Sequence, residues 1–342
     1  MPSDRALLLA AGGGIGDTLL AGVVAAALRG RYAQVDALVL PAHVELAARI
    51  PSIGRVVALH GSALDVARRL AGEDFAAAVV TWATLQTAAI PFLARIPIRV
   101  GQARRLYSPL FTHQVTVRSE LGDHRTHWTQ ILLDYPRTIG CDAADASPAF
   151  VPTAADQAGA AELLRANGVR GPFALLHPTR GLSAQRARWP SDGFLDLAAA
   201  LAARDRLPVL ISGSPDDAAI AAALAAAAGP PLVSIAGATS IGVFGALAQR
   251  AAFAIAMDSG PMHVAAAAGA PTVGIFALQS DEPDRWAPLG AVTAVVRASY
   301  PCPPGHRKET CPDFACVRAL DTAAVLAALD GLRARPARSP KA

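Results

Sequence analysis

The stretch ALLLAAGGGIGDTLLAGVVAAALRG, residues 6–30, sets the architecture. Residues 6–10 are an apolar run of strand length. Gly12, Gly13, Gly14 and Gly16 form a turn. Residues 19–28 are apolar over a helical length, and Arg29 and Gly30 end the run. Glycines between a strand and a helix let a ligand approach the backbone closely, and the helix start favours an anion. Asp17 stands in that turn. Its carboxylate would repel a pyrophosphate, yet it suits an acid, a base or a structural N-cap. Asp36 falls near the distance at which a dinucleotide fold places its ribose-binding acid, although the glycines do not follow the GxGxxG spacing.

The pattern continues outward. Residues 35–40, 56–59 and 76–81 read as buried strands, with helices near 43–49 and 64–70. Residues 141–156, rich in Ala, Pro, Asp and Ser, read as a linker, followed by a helix over 156–167. The alternation then restarts. Strands are expected at 173–177, 209–212, 232–235, 252–257 and 272–276, with helices at 194–204, 216–228, 241–250, 262–268 and 322–333. Continuous apolar strands alternating with helices indicate parallel sheets covered on both faces. At ~100–200 residues per domain, 342 residues make two domains. The expected division is 1–155 and 156–320, with 321–342 a C-terminal helix and polar tail. Two doubly wound halves of similar size imply a cleft, with ligands at the carboxyl ends of the strands.

Composition removes several classes. A chain 53% hydrophobic and 17% charged is not intrinsically disordered. Four cysteines are too few for a disulfide scaffold. A net charge of +4 is not the dense basic field of a nucleic-acid binder, so no nucleic-acid partner is expected. It suits an anionic small molecule or a negatively charged membrane surface equally well. A membrane span needs ~20 consecutive apolar residues, and Gly269, Pro271 and Thr272 interrupt the best candidate, 264–278. Arg5 and the apolar residues 6–11 sketch a signal peptide, but glycines and Asp17 follow at once. A cytoplasmic protein with reduced thiols is expected.

Two further motifs carry chemistry. In MDSGPMHVAAAAG, residues 257–269, a strand ends at Asp258 and Ser259, Gly260 and Pro261 open a helix. Free backbone N–H groups there make an anion site flanked by Asp258 and His263; an Asp–Ser cap with a packed histidine is the plainer alternative. In HPTRGLSAQRARWP, residues 177–190, a strand end is followed by Thr179, Arg180, Arg186 and Arg188. Arginines so placed bind phosphate bidentately, or are surface charge. Near the C-terminus Cys302, His306, Cys311 and Cys316 have the residue types for zinc or iron, though not the spacing of a standard finger. Packed, reduced thiols are the alternative. Arg95, Arg99, Arg104, Arg105, His124, Arg125 and His127 give the first half a basic stretch.

Taken together, these motifs resemble the glycosyltransferase family 9 heptosyltransferases, which include the ADP-heptose–lipopolysaccharide heptosyltransferases. The matching segments are Gly16–Asp17–Thr18–Leu19, His177–Pro178, Arg188–Trp189–Pro190 and Gly213–Ser214–Pro215–Asp216–Asp217. They continue as Ala236–Gly237–Ala238–Thr239–Ser240, Asp258–Ser259–Gly260–Pro261–Met262–His263 and Trp286–Ala287–Pro288–Leu289–Gly290. The resemblance covers nearly the whole chain and is weakest over 80–150. It implies an α/β GT-B fold, two Rossmann-like domains facing across a cleft, with the acceptor on the first and the nucleotide sugar on the second.

The resemblance further implies an inverting, metal-independent transfer of a heptose from ADP-heptose to a cell-envelope acceptor such as the lipopolysaccharide inner core. Asp17 would be the catalytic base. Thr179, Arg186, Arg188, Asp217, Thr239, Asp258, Ser259, Gly260 and His263 would hold the donor, Asp217 at the ribose and Thr239 at the base. No cofactor is required for catalysis. Some relatives that modify autotransporter proteins bind iron through a related cysteine cluster, which keeps a structural zinc or iron at Cys302, His306, Cys311 and Cys316 in view. A glycolipid acceptor brings with it peripheral contact with the inner membrane. The sequence departs from the family at Ala187, where a lysine is usual, at residues 276–279, and at Thr81–Trp82–Ala83–Thr84, where an acid–Arg pattern is common. A protein acceptor, or a sugar-nucleotide-binding module without catalysis, are the alternatives. A dinucleotide oxidoreductase fits the glycine spacing less well.

Overall fold

The computed structural model describes residues 4–178, 191–229, 232–278, 282–302, 311 and 313–334. The chain divides into two compact units, 1–151 and 152–342. In the first, β1 (Arg5–Ala10), β2 (Gln34–Val39), β3 (Val56–Ala58), β4 (Ala77–Val80), β5 (Ile98–Gln102) and β6 (His113–Val115) form a parallel sheet in the order β3-β2-β1-β4-β5-β6. In the second, β7 (Ala174–His177), β8 (Val209–Ile211), β9 (Leu232–Ser234), β10 (Phe253–Met257), β11 (Thr272–Phe276) and β12 (Thr293–Arg297) are ordered β12-β11-β10-β7-β8-β9. Each is the doubly wound order 3-2-1-4-5-6, and each has a switch point where the winding reverses: between β1 and β4, and between β7 and β10.

The strands are buried on both faces. Leu7, Leu8 and Leu9 are at most 1% exposed, and β1 pairs residue for residue with β2, from Arg5 opposite Gln34 to Ala10 opposite Val39. The first core joins Leu7, Leu9 and Val80 to Val66 and Leu70 of the helix Ala63–Leu70. In the second, Leu176, Ile255 and Ile275 pack with Leu197 and Leu201. Val325 and Leu329 of the helix Thr322–Arg333 belong to that same core.

Three sequence expectations change. The first helix starts earlier than residue 19 and is broken into Ile15–Leu20 and Gly22–Arg29. Helices Leu85–Leu93 and Trp128–Arg137, each containing a proline, were not expected, nor were β5, β6 and β12. The dinucleotide alternative loses its acid. Asp36 is fully buried within β2, its carboxylate held by Arg5 at 2.7 Å and Arg55 at 3.0 Å, an ion-pair network tying strands together rather than a ribose site.

Candidate functional site

The first cluster lies at the carboxyl ends of β1 and β4, the switch point of the first sheet. Gly13 takes φ +69°, a conformation that excludes most side chains, and a Cβ there would strike the Asp17 carboxylate. Gly12 is under a closer constraint: a Cβ would overlap the Trp82 indole, which follows β4. The glycine run therefore brings backbone, carboxylate and indole into contact.

Asp17 is not an N-cap. Gly14 holds that position, and Asp17 is the third residue of the helix Ile15–Leu20. Its carboxylate reaches back to accept the Gly14 amide at 2.8 Å. Burial pushes the Asp17 carboxyl above its ordinary value, while the Gly14 amide and the neighbouring His43 pull it back. His43 is buried and bonds through Nδ1 to the Thr18 hydroxyl at 2.7 Å. Burial lowers its pKa, so the ring is held neutral beside the carboxylate. A small pocket opens on this cluster, lined by Ala10, Gly12, Asp17, Thr81, Trp82, Trp128 and Leu132. A half-buried carboxyl with a raised pKa at a pocket wall is a better proton acceptor than an ordinary surface carboxylate.

Trp82 and Trp128 were absent from the sequence-derived site. Trp82 showed only as a departure from the family pattern. The signal available was its position directly after a buried strand beside the glycine turn. Trp128 opens a helix that the sequence hid. The basic stretch resolves into separate roles. Arg99 bonds to the Leu110 and Ile96 carbonyls, Arg105 pairs with Glu120, and His127 caps the helix Trp128–Arg137. None of the stretch lines the pocket.

The second cluster lies at the carboxyl edge of the second sheet. Asp258 follows β10 and is anchored by its amide to the Ile275 carbonyl at 2.9 Å. Ser259 occupies the N-cap position of the helix Gly260–Ala267, but its hydroxyl donates to the Met257 carbonyl and leaves the helix amides uncapped by that side chain. Gly260 and Pro261 form the first turn, and His263 is buried one turn in. His177 ends β7, buried, with Nδ1 3.1 Å from the Ser212 hydroxyl. Burial lowers its pKa to about 4, and Asp217 opposes the shift. Asp217 is buried and accepts from the Ser214 amide at 2.9 Å and the Ser214 hydroxyl at 2.6 Å, closing the turn after β8. Thr239 is half-buried after β9. These residues thus share one edge of one sheet. Thr179, Arg180, Arg186 and Arg188 lie outside the described residues.

The Cys302 thiol has Cys316, Cys311 and Asp313 as electrostatic neighbours. Cys316 is buried in the second core, and Cys302 and Cys311 are half-buried. The Cys311 sulfur accepts the Phe314 amide at 3.3 Å. Among the described residues no group of three or more His, Cys, Asp or Glu side chains is placed to hold a metal; His306 lies outside them. No helix among the described residues is long and apolar enough to cross a membrane.

A family model described as glycosyltransferase family 9 (heptosyltransferase) matches residues 63–313. No curated protein matches the chain by sequence. Several solved structures share the fold. A glycosyl transferase family 9 protein from Veillonella parvula is 18% identical, with 96% of each chain covered and a TM-score of 0.82. The ADP-heptose lps heptosyltransferase II of E. coli is 19% identical, covering 96% of this chain and 98% of its own, with a TM-score of 0.77. The E. coli heptosyltransferase WaaC with ADP is 14% identical, covering 96% and 99%, with a TM-score of 0.72. At such identities the likeness is one of fold, the two six-stranded parallel α/β units of the GT-B class.

Proposed function

The chain belongs to glycosyltransferase family 9, and on that premise we propose that it transfers a heptose from ADP-heptose to a cell-envelope acceptor such as the lipopolysaccharide inner core, with inversion at the anomeric carbon. The observation that carries the mechanism is Asp17, a half-buried carboxyl with a raised pKa on a pocket wall. In this reading Asp17 takes the proton from an acceptor hydroxyl as that oxygen attacks the anomeric carbon. The bond from that carbon to the diphosphate oxygen breaks, and ADP leaves with the bonding pair. Gly14 orients the carboxylate, and neutral His43 withholds a full positive charge that would weaken it as a base.

The donor is assigned to the second unit. The amides opening the helix Gly260–Ala267 suit the departing diphosphate, with Asp258 at the sugar hydroxyls and His263 supporting the loop. Thr179, Arg186 and Arg188 are proposed to add charge to the phosphates. Asp217 and Thr239 are proposed for the ribose and the base. The scheme calls on no metal, and the described cysteines supply no step. Peripheral membrane contact belongs to the same proposal, supported by fully exposed Leu106 next to Arg104 and Arg105.

The test is release of ADP from ADP-heptose with and without deacylated inner-core oligosaccharide. Acceptor-dependent ADP release with a heptosylated product supports the proposal. Acceptor-dependent transfer from another nucleotide sugar, with none from ADP-heptose, contradicts the donor.

A further inference from the structure

We propose that the first unit carries an acceptor subsite for an uncharged sugar ring, laid against the Trp82 indole with one hydroxyl at Asp17. This rests on the heptosyltransferase reading and sharpens its acceptor. The pocket walls are two indoles, Trp82 and Trp128, with Leu132 one turn beyond Trp128 on the same helix and Thr81 and Asp17 as polar groups. Trp82 is 42% exposed although its ring lies against the Gly12 backbone, so it is anchored on one side and open on the other. A pyranose has an apolar C–H face and a polar rim. An indole takes the face, and a carboxylate takes a rim hydroxyl.

Charge decides which ring fits. Among the described residues lining the pocket, Asp17 is the ionisable one. A ring bearing a carboxylate or phosphate would bring a second anion to a partly desolvated carboxylate with no lining cation to offset it. None of the nearby basic stretch is among the lining residues, and within it Arg99 is bound to backbone carbonyls and Arg105 to Glu120. Acidic groups of a larger acceptor therefore lie outside this subsite, and the attacked hydroxyl belongs to a neutral ring such as a hexose or heptose.

Saturation-transfer NMR on the full chain tests this with methyl α-mannopyranoside and the acidic sugar 3-deoxy-manno-octulosonate as probes. Saturation is expected to reach the mannoside ring, to persist in Trp82→Phe, and to fall roughly tenfold in Trp82→Ala. The acidic sugar is expected to show none. Equal or stronger contact with the acidic sugar, no contact with the mannoside, or an unchanged signal in Trp82→Ala overturns the subsite. Thermal shift by ADP on the same samples separates the two levels. An unchanged melting profile and near-UV circular dichroism of unliganded Trp82→Ala show the first unit folded, whereas absence of the ADP shift in the wild type counts against the donor reading and leaves the sugar contacts to be judged separately.

Discussion

The Gly14 amide donates to the Asp17 carboxylate across 2.8 Å, so the first helix is closed at its start by a side chain from within its own first turn. The bond fixes the direction of the carboxylate while burial raises its proton affinity. Orientation and basicity are thus set by the same few residues of the glycine turn.

Replacing Asp17 by Asn keeps an oxygen for the Gly14 amide and removes the base. Turnover is expected to fall about 10²- to 10⁴-fold, with ADP affinity unchanged, by steady-state kinetics and calorimetry. Stability should move the other way. Because the folded state raises the carboxyl above 3.8, ionisation weakens the fold as pH rises through the raised value. Asp17→Asn should therefore melt above wild type at pH 7, and the gap should close as pH falls toward 3.8.

His177 sets an acid limit on the second unit. Its pKa is pushed down to about 4 from 6.5, so the fold takes it neutral and the unfolded chain protonates it first. Its contribution is present above 6.5 and is lost as pH falls toward 4, by about 3 kcal/mol at the lower end. His177→Gln should flatten chemical-denaturation stability over that window, after allowance for the similarly shifted His43.

Gly13 tests the turn itself. Ala at φ +69° costs about 1 kcal/mol or more in backbone strain, and its Cβ would displace the Asp17 carboxylate. Gly13→Ala should lower kcat with little effect on ADP binding; a normal kcat would say that carboxylate placement is not critical.

Much of this was legible before the structure. The strands around residues 6–10, 253–257 and 272–276 are uninterrupted apolar runs, and burial on both faces is what such runs imply. Residues 80–150 were opaque for physical reasons. Pro91 and Pro136 stand inside helices, and β6 is three residues of His, Gln and Val. The glycine turn announced Asp17 and offered it as an N-cap, but not that Gly14 holds the cap position and Asp17 reaches back to it from the third helical residue. Trp82 carried no periodic signal, because its placement depends on β1 and β4 lying side by side, with Ala6 opposite Ala77, far apart in sequence.

Asp258 separates sugar from nucleotide. Asp258→Ala should weaken ADP-heptose binding about 10- to 100-fold while changing ADP binding little, since a lost hydrogen bond to a charged group is worth about 1.5–3 kcal/mol. Equal losses in titration calorimetry would place Asp258 away from the sugar.

The most direct measurement is a thermal-shift panel of the purified protein with ADP, ADP-heptose, GDP, UDP, dTDP and NAD, because a ligand that binds the folded state raises the melting temperature. The account predicts stabilisation by ADP, a larger shift with ADP-heptose, and none with the others. Selective stabilisation by another nucleotide, by NAD alone, or by nothing in the panel would contradict it.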